Sequence, residues 1–422
     1  MPRRWYRRGM IALLLLAQLQ LAPPPPPATG ASGSIDPVAA TRAYLDQLPA
    51  DEKAKSDAYF EGGYWLSLWS FLWTAGVFLL LLGTGWSARM RDRAERMTRF
   101  AALQTLLYWV QFLVVTTLLF LPLSIYKDWL REHQYGLSNL TLAAWLGEEA
   151  KGLGISLIIG SLTMVVLYAI VRRLPRTWWI WGAAASIALL AFTVLIGPVF
   201  ITPIFNSPKR LQDQRVVAPI LSLARANGIP AGEVWEIDAS KQSKRVSANV
   251  SGLLGTMRIT LNDNLLARAS LPEIEAVMGH EMGHYLNNHV QHFLIEFGLI
   301  VAVGFALLRT LFERLRVRFG IRDVGDVAGL PLALLLFTAY LFVLTPVINS
   351  IVRGGEYEAD LFGLNAARQP DGQAQMALKL SEYRKLEPGP LEEIVFFDHP
   401  SGRTRIFTAM RWKAEHPETW SR

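Results

Sequence analysis

Between Leu153 and Ile201 the sequence reads LGISLIIGSLTMVVLYAIV (153–171), RRLPR (172–176) and TWWIWGAAASIALLAFTVLIGPVFI (177–201). Neither apolar run holds a charged residue, and each is long enough to cross a hydrocarbon layer about 30 Å thick, which takes about 20 helical residues. A helical hairpin through a membrane, closed by a basic turn, is the reading. Outward from it, Tyr64–Gly83, Thr105–Ile125 and Leu330–Ile348 are equally free of charge. A further run, Phe293–Leu308, contains Glu296 and is followed by Arg309, so its opening lines a wet cavity or lies at the interface.

The 422-residue chain is 51% hydrophobic, too rich in long apolar stretches for an ordinary soluble enzyme. It has no cysteine, which excludes disulfides, thiolate metal sites and a cysteine nucleophile. The net charge of +7 comes from arginines gathered between apolar runs, which points to anionic lipid headgroups and not to nucleic acid. Met1–Leu21 joins four arginines to a short apolar core ahead of Pro23–Pro27, so residues 1–30 read as a signal-like segment or a short first transmembrane helix. Residues 31–63 read as an extended or flexible spacer. The expected fold is mainly α, a polytopic membrane bundle of about seven helices with a small α+β region outside the membrane. Residues 64–201 would give four transmembrane helices and 292–349 two more. The remaining segments, 202–291 and 350–422, would together build one catalytic region.

His280-Glu281-Met282-Gly283-His284 in the first segment is an H-E-x-x-H motif. Ser270-Leu271-Pro272-Glu273 resembles a capping box with proline in the first turn, and Ile274, Val277 and Met278 follow at helical spacing. Four residues make slightly more than one turn, so both imidazoles leave one face and converge on one tetrahedral metal, most simply zinc. Glu281 sits beside them as the base that takes a proton from the metal's water. In the second segment, Arg353, Glu356 and Asp360 of Arg353-Gly354-Gly355-Glu356-Tyr357-Glu358-Ala359-Asp360 share a helix face. Glu356 would complete a two-histidine, one-glutamate set with a fourth position open to water, a catalytic pattern. Asp360 would orient a ligand histidine or carry a proton, while Glu358 points elsewhere into solvent.

These residues resemble the type I CAAX prenyl endopeptidases, membrane zinc proteases with many bacterial relatives. Beyond the two motifs, the resemblance rests on Pro198–Asn206, on Ser247-Ala248-Asn249, on Met257–Leu266, and on Asp398-His399-Pro400 with Arg405-Ile406, and it runs from Tyr64 to the end. It implies a single zinc ion per chain, Glu356 as third ligand, Asp360 as a proton donor, His399 as a group holding the reacting carbonyl's oxyanion, and a ring of helices around a chamber. It also implies a bacterial inner-membrane protein acting on peptide or membrane-protein substrates. Arg353-Gly354-Gly355 stands where relatives often carry paired arginines, and Val250 where an aromatic residue is common, which leaves the metal chemistry intact and bears on substrate preference. His133, His289, His292 and His416 read as structural or solvated.

Arg245–Leu261 alternates around Gly252 and Gly255 like a hairpin whose edge pairs with an extended peptide, with Asn249 as backbone anchor and Arg353 as a second substrate-binding residue. Alternating loops hold sixteen arginines on one side (Arg3–Arg8, Arg89–Arg99, Arg172–Arg176, Arg314–Arg322) against six basic residues on the other. By the positive-inside rule the catalytic segments then lie outside the cytoplasm. A quality-control protease of the same zinc class fits the sequence as well. A receptor or transporter with a structural metal would leave Glu281 and the open position unexplained.

Overall fold

The computed structural model describes residues 35–251 and 257–419, so the signal-like segment 1–30 and the Gly252/Gly255 turn lie outside the described residues. Helices α1 (Pro37–Leu45), α2 (Ala50–Gly83), α3 (Ala101–Ser124), α4 (Leu142–Arg173) and α5 (Trp178–Ile196) come first. They are followed by α6 (Leu271–Leu286), α7 (His289–Leu315), α8 (Leu330–Val343), α9 (Thr345–Ala367), α10 (Pro390–Phe396) and α11 (Gly402–Glu415). Among the described residues four helices are long and apolar enough to cross a membrane, namely α2, α3 with its continuation to Gln134, α4, and α7 with its continuation to Phe319. The apolar α5 is shorter, and α8 joins α9 through a bend of 57°. Helix is the only way a single apolar segment satisfies its own backbone in hydrocarbon. Small residues let neighbours close up: a Cβ on Gly182 would meet Phe305 at 2.7 Å, and one on Gly304 would meet Phe337 at 2.6 Å.

Of the spacer expected over residues 31–63, the described part, 35–63, is instead mostly helical, because tertiary partners fix it. Asp36 caps α1 by accepting from Val38 N at 2.9 Å, and Leu45 enters a core with Leu364, Ile406, Ala409 and Trp412. The polar start of α2 is tied down by Ser56 Oγ donating to Arg384 O at 3.3 Å and Tyr59 Oη donating to Glu132 at 2.6 Å. Lys53 pairs with Glu387 there as well.

Three basic segments meet at one end of the bundle. Arg91 Nη1 donates to Asp326 Oδ2 at 2.7 Å, Arg322 N donates to the same oxygen at 3.0 Å, and Arg172 Nε donates to Gly325 O at 3.1 Å. The catalytic region sits at the other end, where Arg245 pairs with Glu132 at 2.8 Å and Asn139 Nδ2 donates to Ser240 O at 2.7 Å.

That region holds a four-stranded sheet of β1 (Lys209–Arg210), β2 (Val234–Ile237), β3 (Ala248–Ser251) and β4 (Arg258–Asn262) in the order β1-β2-β4-β3. β2 and β4 are parallel, and β3 runs antiparallel to β4 with Asn249 opposite Thr260. Ile259 and Leu261 of β4 pack with Ile274, Met278 and Met282, so one face of α6 is buried on the sheet. The apolar residues at i, i+4 and i+8 supply that face.

Candidate metal centre

The start of α6 is fixed by Glu273, which is buried and accepts from Ser270 N at 2.6 Å, Ser270 Oγ at 2.8 Å and Lys379 Nζ at 2.8 Å. From that anchored turn the helix carries His280 and His284 on one face, their Nε2 atoms 3.1 Å apart. α9 crosses α6 where both present small residues. A Cβ on Gly283 would come within 3.0 Å of Ala359 Cα, and one on Gly279 within 3.0 Å of Gly363 O. The backbones therefore nearly touch, and Glu356 reaches the imidazoles: Oε2 lies 3.2 Å from His280 Nε2 and Oε1 lies 3.4 Å from His284 Nε2.

His280, His284 and Glu356 are a group able to hold a metal ion. Two donors about 2.05 Å from a tetrahedral ion stand about 3.3 Å apart. The three observed separations of 3.1, 3.2 and 3.4 Å fit that spacing. Glu356 Oε2 is buried without a hydrogen-bond partner of good geometry, which a cation would remedy.

Around this set the structure brings Asp360, which shares the helix face of Glu356, and His399, which the resemblance singled out. Asp360 is 1% exposed, and its Oδ1 lies 2.8 Å from His280 Nδ1. The same oxygen accepts from the Arg405 guanidinium, which α11 delivers to the site. His399 Nε2 is 3.2 Å from Glu356 Oε2, and its Nδ1 is 2.8 Å from Asp398 Oδ1. Arg384 Nη2 stands 3.3 Å from His399 Nε2. Glu281 is beside both histidines; burial pushes its carboxyl up, and His280 and His284 pull against that.

Arg353 and His289 both find partners within the protein. Arg353 donates through Nη1 to Glu393 O at 2.8 Å and Phe397 O at 2.5 Å, and through Nη2 to Ser350 Oγ at 3.0 Å. Its guanidinium is engaged by the end of α10 and buttresses the segment that carries His399. His289, read as structural or solvated, is buried with its Nδ1 2.9 Å from His284 Nδ1 and its Nε2 3.2 Å from Glu358. Asn249 is exposed on β3, whose hydrogen-bonded neighbour in the sheet is β4. Arg405 and Arg384 were missed as site residues. A buried carboxylate beside a ligand histidine calls for a cation, and Arg405 lies in a stretch already singled out by resemblance.

The pattern of peptidase family M48 matches residues 210–413, and that of the CAAX prenyl protease N-terminal domain, described as five membrane helices, matches residues 39–207. Over 352 residues the chain is 31% identical to the "Uncharacterized metalloprotease YhfN" of Bacillus subtilis, covering 80% of this chain and 82% of that protein. Over 322 residues it is 29% identical to CAAX prenyl protease 1 of Saccharomyces cerevisiae, covering 71% and 70%. Its fold is similar to the crystal structure of S. mikatae Ste24p, with a TM-score of 0.72 and 24% identity, over 89% of this chain and 94% of that one. The two family patterns meet end to end across the membrane helices and the histidine helix, so both are parts of one integral-membrane metalloendopeptidase, and the chain belongs to peptidase family M48.

Proposed function

We propose that this enzyme is a zinc endopeptidase with one ion per chain, held by His280, His284 and Glu356. The observation that carries the reading is the spacing of the three donors, 3.1 to 3.4 Å, in a two-histidine, one-carboxylate set that leaves a position for water. When bound, zinc supplies Lewis acidity, which polarises a carbonyl and brings the pKa of water to about 7. Glu281 takes the water's proton and passes it to the leaving amine, and its burial-raised carboxyl suits that exchange. Asp360 accepts from His280 Nδ1 and so keeps Nε2 turned to the metal, while Arg405 balances the aspartate's charge. His399 supplies a donor to the oxyanion of the reacting carbonyl.

The substrate is an extended peptide or a segment of a membrane protein, added to β3 as a further strand with Asn249 as an anchor. Relatives named as CAAX prenyl proteases favour a second reading, a prenylated C-terminal tail. Matched peptides with and without a prenyl group separate the two. We read it as a bacterial inner-membrane protein with catalysis on the extracytoplasmic side, supported by the meeting of the Arg91, Arg172 and Arg322 segments at the end opposite the sheet.

The test is Glu281→Gln in the purified chain. Zinc content is expected to stay at one per chain while cleavage of a reporter peptide falls by about 10²- to 10⁴-fold. Unchanged cleavage would overturn the assignment.

A further inference from the structure

We infer that His289 is a positioning residue for the metal centre: it accepts the Nδ1 proton of His284 and fixes that ring, with Glu358 holding His289 in the accepting tautomer. The inference rests on His284 being a ligand, as proposed above.

The two ligand rings have different supports. His280 has a buried carboxylate at its Nδ1, the Asp360 Oδ1 at 2.8 Å. With Nε2 given to a metal, His284 also carries its proton on Nδ1 and needs an acceptor there. The atom that stands there is Nδ1 of His289, at 2.9 Å, with the ring centroids 5.0 Å apart and the planes at 75°. Two facing ring nitrogens bond only when one is protonated and the other is not. His284 donates, so His289 accepts at Nδ1 and carries its own proton on Nε2. Nε2 donates it to Glu358 Oε2, 3.2 Å away, and every donor in the chain of three then has an acceptor.

The surroundings hold His289 to this task. It is 2% exposed, and one turn along α7 the Phe293 ring lies 5.9 Å from its own. Gly355 makes room for Phe293, since a Cβ there would come within 2.7 Å of that ring, while it would stand at ordinary contact distance, 3.6 Å, from His289 Nδ1. Five residues along a continuous helix would turn His289 about 140° away from His284. Instead Asn288, with φ 55° in the left-handed region, breaks the helix and starts α7, so that its first side chain folds back onto the ligand. Asparagine tolerates that conformation better than most residues.

The experiment uses the full chain purified in detergent, with zinc affinity measured by competition with a chromogenic chelator and the ligand field read from the visible spectrum of the cobalt-substituted protein. His289→Leu is expected to weaken zinc binding by about 10- to 100-fold and to shift the cobalt bands. His289→Asn, which keeps an acceptor oxygen near the place of Nδ1, is expected to recover most of the affinity, and Glu358→Ala to show a smaller loss. A folded His289→Leu protein with unchanged affinity and spectrum overturns the inference, as does a His289→Asn protein as impaired as the leucine variant. Should the leucine variant not fold, Glu358→Ala decides, and an unaltered affinity and spectrum there overturn the relay. Failure of the unsubstituted chain to bind either metal would count against the proposed function instead.

Discussion

Gly363 lies so close to His280 that a Cβ at position 363 would stand 2.8 Å from the His280 backbone nitrogen. The ligand helices touch through backbone, and the glutamate's reach depends on it. Gly363→Val is therefore expected to push α9 off α6, at an overpacking cost of about 1–3 kcal/mol. Bound metal per chain, measured on purified protein, should fall well below the unsubstituted value, and peptide cleavage with it.

Asp360→Asn tests the support of His280. The change leaves the half-buried Arg405 without its counter-charge and gives His280 Nδ1 an amide in place of a carboxylate. Removing one partner of a buried pair costs about 3–5 kcal/mol. Zinc affinity should drop by about 10- to 100-fold, with a lower Tm, in chelator competition and thermal unfolding.

Arg353→Ala should separate catalysis from metal binding. Without its bonds to Glu393 O and Phe397 O, the end of α10 loses its tie to α9 and His399 shifts. A displacement of about 1 Å can cost about 100-fold in rate. kcat/KM should fall while zinc affinity stays constant. Arg353→Lys should restore little, because a single ammonium cannot replace the fork.

Glu273 gives α6 a pH-dependent anchor. Burial would raise its carboxyl, but the bonds from Lys379 and Ser270 outweigh that and lower it below its ordinary 4.5. A depressed folded-state pKa adds stability above the unfolded value and loses it as pH falls through the folded one. The Tm difference between the unsubstituted chain and Glu273→Gln should be full near pH 7 and shrink steadily below about pH 4. A difference that grows in acid would contradict the assignment.

On the proposed orientation, with the basic segments at the cytoplasmic end, alkaline phosphatase fused after Arg422 should be active in cells. A silent fusion would reverse the proposed orientation.

The apolar runs were legible because a bilayer imposes length and apolarity on each segment by itself. The histidine helix was legible because its cap, proline and apolar period lie within one short stretch. Ala50–Gly63 was not read as helix. Its acidic first turn and alanines favour one, but they follow a Pro- and Gly-rich segment, and the partners that hold it, Glu132, Arg384 and Glu387, are distant in sequence. His289 escaped for another reason: its place behind His284 comes from one left-handed residue, and no periodicity predicts that. Arg353 shares the face of Glu356, but the carbonyls that engage it lie in and just after α10, some forty residues on.

Only Asn287 and Asn288 separate α6 from α7, and only Leu344 separates α8 from α9. Helices in lipid change tilt to match the thickness of the layer around them. Tilting either α7 or α8 would alter the angle at which imidazoles and carboxylate bite on an ion. Reconstituted in vesicles of short and then long acyl chains, the same polypeptide is expected to hydrolyse the same peptide at different speeds.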